Sequence, residues 1–310
     1  MPAARTVVAL ALIASVAGCA PAPSATQPGA SGSPGPPPSG PPVTSPAADP
    51  HPPFVPAILL AAPTGLAVSA AGRPTTRLPV GLPPGAWQPT AAVGPHRTLL
   101  LVSAPARPPA TAMEGVLSGT QVRIDWTVAL PVDVGPALLA GCVAADGTAT
   151  VIADRLVYAR AGGVVGMHEV PATAGRCQMT DADVVAYLAD VDHALAFWSP
   201  GAAAAVVTST RCDDIGLGGG LLACLVAGED DVVAGRLLAP VAARAALDPL
   251  AEQRLPGPAR QVVLSPDGQW LALVSSGATV ALYRRCGDAF QAAGAFDLRA
   301  GEELLGFVEP

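Results

Sequence analysis

The stretch "VVLSPDGQWLALVSSGATVALYRR", Val262 to Arg285, decides the fold class. Two apolar runs of strand length flank the Pro-Asp-Gly at 266–268, a combination that favours tight turns. In the second run, "QWLALV", alternation places Trp270, Ala272 and Val274 on one face of a strand. The stretch therefore predicts two antiparallel strands joined by a short turn.

Similar apolar runs recur along the chain, separated by Gly, Pro and Asp. They are "TLLLVSA" from Thr98, "QVRIDWTVAL" from Gln121, "TATVIADRLVYAR" from Thr148 and "DVVAYLAD" from Asp183. Helical patterns are poor, since the best one, "PVAARAALDPLAEQRL" from Pro240, is interrupted by Pro249. We therefore predict an all-β domain.

The tryptophans and cysteines recur at related intervals, which indicates an internal repeat. Trp126, Trp198 and Trp270 are 72 residues apart, and the cysteines at 142, 177 and 212 are 35 residues apart. Segments that start at Trp126 and Trp270 also both reach a cysteine 16 residues later. These intervals predict a repeat of about 36 to 40 residues, the size of one blade of a radial β-sheet array.

The Val262–Arg285 stretch resembles a blade of the WD40 and TolB-like β-propeller families, in which an S-P-D-G turn joins the first strand to the second. Weaker echoes are "LAFWSPGAAAAVV" from Leu195 and "CVAADGTATVIAD" from Cys142. The resemblance covers about three blades, roughly half of the domain. It implies a propeller of about six or seven blades, with binding or catalysis at the mouth of the central channel. It implies no particular ligand.

The first nineteen residues predict export and lipid attachment. Met1–Arg5 carry one positive side chain, and Thr6–Val16 form an apolar run of eleven residues, which is typical of a signal peptide. This run is shorter than the ~20 residues of a membrane-spanning helix. The sequence Val-Ala-Gly-Cys that ends at Cys19 resembles the bacterial lipobox, which implies a diacylglyceryl group on Cys19 and cleavage before it. The alternative is an ordinary secretory signal with a chance cysteine.

Two acyl chains, such as palmitate, suffice for stable membrane attachment. We therefore expect a lipid-anchored protein on the extracytoplasmic face of the cell membrane. Composition then divides the chain into a signal peptide at 1–18, a disordered tether at 19–53 and a propeller-like domain at 54–310. From Ala20 to Pro53 the tether is rich in Pro, Ser, Gly, Ala and Thr, and has no charge before Asp49. Its length predicts a span of about 30 Å as a flexible coil and up to roughly 100 Å when fully extended.

The amino-acid composition excludes several function classes. The chain contains no lysine, so it has no phosphate-binding G-x-x-x-x-G-K-[ST] loop, no Schiff-base lysine and no Ser-Lys dyad. The net charge is -7, and no basic stripe offsets the repulsion of a phosphate backbone. We therefore expect no nucleic-acid partner and no cofactor.

Motifs for catalysis or metal binding are incomplete. His168-Glu169 begins an H-E-x-x-H pattern, but Ala172 replaces the second histidine. "DIGLGGGLLAC" departs from G-x-G-x-x-G at Leu221 and is better interpreted as a hairpin loop. No G-x-S-x-G is present. The histidines available as bases are His51, His96, His168 and His193.

An acidic cluster brackets the predicted strand "DVVAYLAD" and ends at a histidine. Its members are Asp181, Asp183, Asp190, Asp192 and His193. Paired carboxylates of this kind can hold a hard cation such as calcium, but the calcium-loop spacing is absent. We interpret these residues as turn formers, and we assign no catalytic or metal-binding residue.

Export places the remaining cysteines where disulfides persist. Cys212 and Cys224 flank the Gly-rich turn and form the first-ranked pair. Cys142 with Cys177 is a second possibility. Cys286 is then left over, and either it is buried and reduced on a core face, or the register of the repeat is wrong.

The sequence therefore predicts a membrane-anchored lipoprotein whose propeller-like domain binds a protein, a glycan or another component of the cell envelope without catalysis. The alternative is a hydrolase or lyase on the same scaffold, and it requires His168 or His193 to meet two carboxylates in one pocket. A third class, a lipid-tethered solute receptor, needs two α/β lobes, for which helical patterns are lacking.

Overall fold

The structure is a computed structural model in which Pro56–Pro310 form one compact unit. It describes residues 56–62, 65–70, 76–78, 90–93, 97–103, 111–118, 121–131, 140–144, 146–152, 155–170, 175–179, 184–189, 193–199, 201–226, 232–236, 253–255 and 258–308.

Within these ranges the chain forms 23 β-strands and no helix. The strands are β1 (Ala57–Ala62), β2 (Gly65–Ala70), β3 (Thr76–Arg77), β4 (Thr90–Val93), β5 (Thr98–Ser103), β6 (Thr111–Ser118), β7 (Gln121–Ala129), β8 (Ala140–Val143), β9 (Ala149–Ile152), β10 (Arg155–Arg160), β11 (Gly163–Glu169), β12 (Gly175–Met179), β13 (Val185–Ala189), β14 (Ala194–Trp198), β15 (Val206–Gly218), β16 (Leu221–Val226), β17 (Val232–Arg236), β18 (Gln253–Leu255), β19 (Ala259–Leu264), β20 (Trp270–Ser275), β21 (Thr279–Cys286), β22 (Ala289–Asp297) and β23 (Glu303–Val308). The prediction of an all-β domain is confirmed.

The strands form five antiparallel sheets. Four of them have four strands, in the orders β23-β1-β2-β3, β4-β5-β6-β7, β8-β9-β10-β11 and β19-β20-β21-β22. The fifth has seven strands and runs from β12 to β18. Its long strand β15 pairs with β14 through its first half, as in Phe197↔Val206, and with β16 through its second half, as in Ile215↔Cys224.

The sheets follow one another around a ring. Contacts between innermost strands link β23 to β4, β4 to β8, β8 to β12, β15 to β19 and β19 back to β23. The ring is closed by the last strand, since β23 pairs with β1 in the register Ala57↔Val308. The arrangement is therefore propeller-like, and each sheet packs against its neighbours.

The core is divided among clusters that lie between neighbouring sheets. One cluster joins Leu100 of β5 to Val151 of β9 and Val157 of β10, all of which are almost fully buried. Because most sheets are covered on both faces, β13 and β14 are buried at every position instead of alternating. This explains the continuous apolar runs in the sequence.

The S-P-D-G turn joins β19 to β20, the first and second strands of their sheet, as predicted. The Ser265 hydroxyl donates to Asp267 Oδ1 at 2.5 Å and accepts the backbone N–H of Trp270 at 2.8 Å. Gly268 adopts φ +68°. Trp270, Ala272 and Val274 lie in one core cluster, which confirms the predicted strand face.

The Gly-rich stretch forms the hairpin turn between β15 and β16, at Gly219 and Gly220, which confirms that interpretation. This turn packs backbone to backbone against the S-P-D-G turn of the neighbouring sheet, and the Gly219 N–H donates to Pro266 O at 2.8 Å. A Cβ on Gly219 would overlap the carbonyl oxygen of Asp267, and Gly219 also adopts φ +54°. The glycine is therefore required by the packing of two turns.

The tryptophan register of the predicted repeat is wrong. Trp126, Trp198 and Trp270 lie in the fourth, third and second strands of their respective sheets. A large side chain can fill the space between sheets from any of these strands, so equal spacing does not make the positions equivalent. Cys142 and Cys177 each lie in the first strand of a sheet, β8 and β12, whereas Cys212 lies in β15, in the middle of the seven-stranded sheet. Of the weak helical pattern, 240–252 lies outside the described residues, and Gln253–Leu255 is strand β18.

Candidate interaction surface

His168 lies in strand β11 and is half-buried against Trp198. Its ring stacks on the indole with centroids 5.4 Å apart and an interplanar angle of 17°. Burial lowers the pKa of His168, and the neighbouring carboxylate of Glu169 opposes this effect. Because successive side chains of a strand point to opposite faces, His168 and Glu169 do not share a site, and Glu169 lies 3.7 Å from Arg155 instead.

His193 lies in the turn before β14 with φ +56°. Its Nδ1 is 2.7 Å from Asp213 Oδ1, and both side chains are exposed to solvent. His193 precedes β14 and Trp198 ends it, so His193 and the His168–Trp198 stack are separated by the length of a five-residue strand, about 16 Å. The two described histidines therefore do not meet in one pocket.

The other candidate residues from the sequence do not alter this arrangement. His51, His96, Asp181, Asp183, Asp190 and Asp192 lie outside the described residues. Among the residues that the structure does describe, no group of three His, Cys, Asp or Glu side chains could hold a metal ion.

Glu114 is a buried acid that the sequence analysis missed. Its side chain in β6 is 3% exposed, and burial, followed by the charge of Asp125, raises its pKa to about 7, while Arg123 opposes the shift. The carboxyl group lies against Gly147, in the turn between β8 and β9. The two are so close that a Cβ added to Gly147 would lie 3.0 Å from Glu114 Oε1. The sequence feature that could have revealed it is a single acidic residue within the otherwise largely apolar run "TAMEGVLS".

The charges around Glu114 are paired with one another. Arg160 Nη2 lies 2.9 Å from Asp146 Oδ2, and Arg123 Nε lies 2.7 Å from Asp125 Oδ1. No ion pair to Glu114 occurs in the described ranges. A buried acid at the junction of two sheets affects the stability and the pH dependence of the fold.

The large apolar side chains that stay exposed lie on two strands, β11 and β15. In the described part of the chain they are Val164, Val165, Met167, Val206 and Val207, with exposed fractions of 38% to 62%. We call these five residues the rim patch. Three lie on β11, the outermost strand of its sheet, and two lie on the first half of β15, which pairs with β14 on one side.

The two strands of the rim patch are neighbours across the junction of their sheets. Strand β11 packs on Trp198 through His168, and also through Gly166, where a Cβ would lie 3.7 Å from the indole. Val207 pairs with Ala196, which places Val207 on the same sheet face as Trp198 and therefore beside β11. Met167 points to the face of β11 opposite His168, and Val206 points to the face of β15 opposite Val207, so the five side chains do not form one continuous surface.

Both edges of the rim patch are irregular. The pairing of β10 with β11 shifts register between Tyr158 and Ala159, and that of β14 with β15 shifts between Ala194 and Ala196. Such bulges twist an edge and limit the addition of a further strand. The rim patch therefore presents apolar side chains more than a free backbone edge.

The cysteines are placed as follows. Cys212 is joined to Cys224 by a disulfide with a Cα–Cα distance of 5.4 Å, and Cys142 is joined to Cys177 with 5.6 Å. The second bridge links the innermost strands of two neighbouring sheets. Cys286 is half-buried at the end of β21. Cys19 lies outside the described residues.

Within the described ranges, no helix has the length and apolar character that a membrane crossing requires.

Comparison with known proteins identifies no matching family and no matching curated protein. Among solved structures, Kluyveromyces lactis Hsv2 is similar with a TM-score of 0.51 and 9% identity, over 67% of this chain and 63% of that one. The chain thus spans less than two thirds of the length of Hsv2. A structure entitled "Crystal structure of Nidogen/Laminin Complex" is similar with a TM-score of 0.52 and 11% identity, over 81% of this chain and 97% of that one. At such identities these likenesses support the propeller-like fold alone.

Proposed function

We propose that this protein is a lipid-anchored binding module of the cell envelope. The signal-peptide pattern of residues 1–18 and the lipobox-like sequence that ends at Cys19 support the anchor. The Pro- and Ser-rich tether to residue 53 then holds the domain away from the bilayer.

We infer that the domain is a six-bladed propeller of the WD40 or TolB-like type. Strand β15 would serve twice, as the outermost strand of one blade and as the innermost strand of the next. Counting it twice divides the seven-stranded sheet into two four-stranded blades, which join the other four sheets. The position of the S-P-D-G turn between the first and second strands of its sheet supports the family type.

The observation that carries the binding function is the rim patch. All five exposed large apolar side chains of the described residues lie on the two strands β11 and β15, and apolar side chains left open at the edges of sheets favour contact with another molecule. The hydrolase or lyase alternative requires His168 or His193 and two carboxylates in one pocket, whereas among the described residues no group of three His, Cys, Asp or Glu side chains could hold a metal ion.

The anchor is tested by the mass of the mature N-terminal peptide. We expect this peptide to begin at Cys19 and to carry a diacylglyceryl thioether, and we expect the Cys19→Ala variant to appear in the soluble fraction. A thioether and a disulfide cannot share one sulfur atom. Detection of Cys19 in a disulfide, or cleavage at another position, would therefore overturn the lipid anchor.

The binding function is tested with purified envelope proteins and glycans presented to the full chain. Association without turnover, retained in the His168→Ala and His193→Ala variants, is the expected result. Turnover that either substitution abolishes would favour the hydrolase or lyase instead.

A further inference from the structure

We propose that the junction between the sheet β4–β7 and the sheet β8–β11 is a pH-sensitive joint of the ring, which is closed while the Glu114 carboxyl group is neutral and opens locally when this group ionises. The inference concerns a motion within the ring, so it goes beyond the proposed function and does not depend on the anchor or on a partner.

Glu114 points into this junction. It pairs with Leu100 on one side and with Trp126 on the other, so the three side chains share one face of their sheet. The buried cluster on this face contains Leu100, packs against Trp126 and continues into β8–β10 of the neighbouring sheet. Gly147, in the turn between β8 and β9, is so close that a Cβ added to it would lie 3.0 Å from Glu114 Oε1. The acid therefore contacts both sheets at the place where they meet.

The contacts that hold the two sheets together around Glu114 are small. The Thr98 hydroxyl, at the start of β5, donates to Ala144 O at 3.2 Å. The buried cluster at this junction consists mainly of Val and Ala, which bury less apolar area than larger side chains do. Moving the β8–β9 turn away from β6 gives up little apolar burial, and it brings the carboxyl group of Glu114 into water.

The charges that face Glu114 favour this motion once the acid ionises. Burial is the largest cause that raises its pKa, followed by Asp125 on β7, while Arg123 opposes the shift and Asp146 in the β8–β9 turn adds to it. Arg123 pairs with Asp125, and Arg160 of β10 pairs with Asp146. Because both cations are engaged by other carboxylates, the charged form of Glu114 gains most from contact with water.

The junction between β15 and β19 shows how a buried carboxylate is accommodated without opening. Asp214 accepts the N–H groups of Ile215 and of Val262, the latter from the neighbouring sheet. Such hydrogen bonds stabilise the charged form of a buried acid. Within the described ranges, none of the hydrogen bonds ends at Glu114. Ionisation therefore has a different consequence at the two junctions.

Covalent links direct the opening to this side of the sheet β8–β11. On the other side, Cys142 of β8 is joined to Cys177 of β12 by a disulfide. Residues 90–129, which contain all of β4–β7, include no cysteine. The sheet β8–β11 therefore stays attached to β12 when it separates from β6.

The two ionisation states set the size of the effect. The pKa of Glu114 is about 7 in the closed joint, and it returns toward 4.5 when the joint opens and water reaches the carboxyl group. The closed state binds the proton more tightly, so opening becomes more favourable as the pH rises. The equilibrium constant for opening should be about 30-fold larger at pH 8.5 than at pH 5.5.

The experiment measures how fast a buried thiol is labelled in the full chain. Ala149→Cys places the thiol in the cluster of the joint, and Ala272→Cys, the matched control, places it in the cluster of another junction; both positions are almost fully buried. Each rate is divided by the rate in the urea-unfolded chain at the same pH, which removes the ionisation of the thiol itself. The reagent is kept dilute, so that the rate reports the opening equilibrium.

We expect the normalised rate at position 149 to rise about 30-fold from pH 5.5 to pH 8.5, and the Glu114→Gln substitution to abolish this rise. At pH 8.5 low urea should hardly change the rate at 149, because a local opening exposes little surface. Position 272 should be labelled more slowly and only by unfolding of the whole domain, so its rate should increase steeply with urea.

Three outcomes would overturn the proposal: equal rates at 149 and 272 with the same urea dependence, a rate at 149 that does not rise with pH, or a rise that persists in Glu114→Gln. Thermal unfolding at pH 5.5 verifies that both cysteine variants fold. A second readout needs no introduced thiol, because Trp126, Trp198 and Trp270 lie at three different junctions. Hydroxyl-radical oxidation of the wild-type chain should increase with pH at Trp126 alone, and equal increases at all three would also refute a local joint.

Discussion

The buried carboxyl group of Glu114 should make the stability of this protein depend on pH near neutrality. Its pKa is raised from 4.5 to about 7, chiefly because burial disfavours the charged form. The folded state therefore binds the proton more tightly than the unfolded state does. The contribution of Glu114 to stability is fully present below pH 4.5 and is lost as the pH rises through about 7.

The raised pKa sets the size of this effect. At 1.36 kcal/mol per pKa unit, the charged carboxylate lowers the free energy of unfolding by up to about 3 kcal/mol above pH 7, relative to a pH below 4.5. The Glu114→Gln substitution keeps the shape of the side chain and removes the charge. We therefore expect it to change stability little at pH 5 and to stabilise the protein by up to about 3 kcal/mol at pH 8.5.

The assay is urea unfolding of the full chain, followed by tryptophan fluorescence, at intervals between pH 5 and pH 8.5. Glu303→Gln, which removes an exposed carboxylate of β23, is the matched control and should leave the profile unchanged. Taking the difference between variant and wild type removes the contributions of other titrating groups. An equal effect of Glu114→Gln at both ends of the pH range would refute the reasoning, because burial of the charge would then not be the cause.

Three further substitutions test the packing of the ring by thermal or urea unfolding. Gly219→Ala should lower the free energy of unfolding by about 2 to 3 kcal/mol, because the new Cβ would overlap Asp267 O. Gly220→Ala should lower it by only about 1 kcal/mol, because its Cβ meets no neighbouring atom and only the φ of +71° is unfavourable. Equal losses for the two variants would contradict this reasoning. Cys212→Ser removes a disulfide that spans 12 residues and should lower the free energy of unfolding by about 3 kcal/mol. As a control, the variant should be as stable as the wild-type protein after reduction of its disulfides. Asp214→Ala should lower the free energy of unfolding by about 1 to 3 kcal/mol, because the buried Asp214 carboxylate accepts hydrogen bonds from the N–H groups of Ile215 and Val262. An unchanged unfolding midpoint would show that water takes the place of the carboxylate.

Part of the candidate site could be predicted from the sequence. His168, His193 and the cysteines were singled out there, and so was the turn that carries Gly219 and Gly220. The rim patch was not, because an exposed Val165 and a buried Val185 stand in equally apolar runs, "GGVVGM" and "DVVAYL". Exposure depends on whether a neighbouring sheet covers the strand, and that is a property of the ring.

What the sequence by itself determined is local. The S-P-D-G and Gly-Gly turns, the strands that they connect and the face shared by Trp270, Ala272 and Val274 follow from turn chemistry and from the two-residue period of a strand. These features need no distant partner. They therefore define the all-β class.

Only the tertiary structure decided how distant strands meet. The closure of the ring by β23 on β1, the use of β15 in two pairings and the bridge between Cys142 and Cys177 join residues that no local pattern relates. The burial of Glu114 and its raised pKa arise in the same way, from the turn of a neighbouring sheet that lies against it. Packing between sheets is set by which side chains meet across the junction, and spacing along the chain does not encode it, as the false tryptophan register shows.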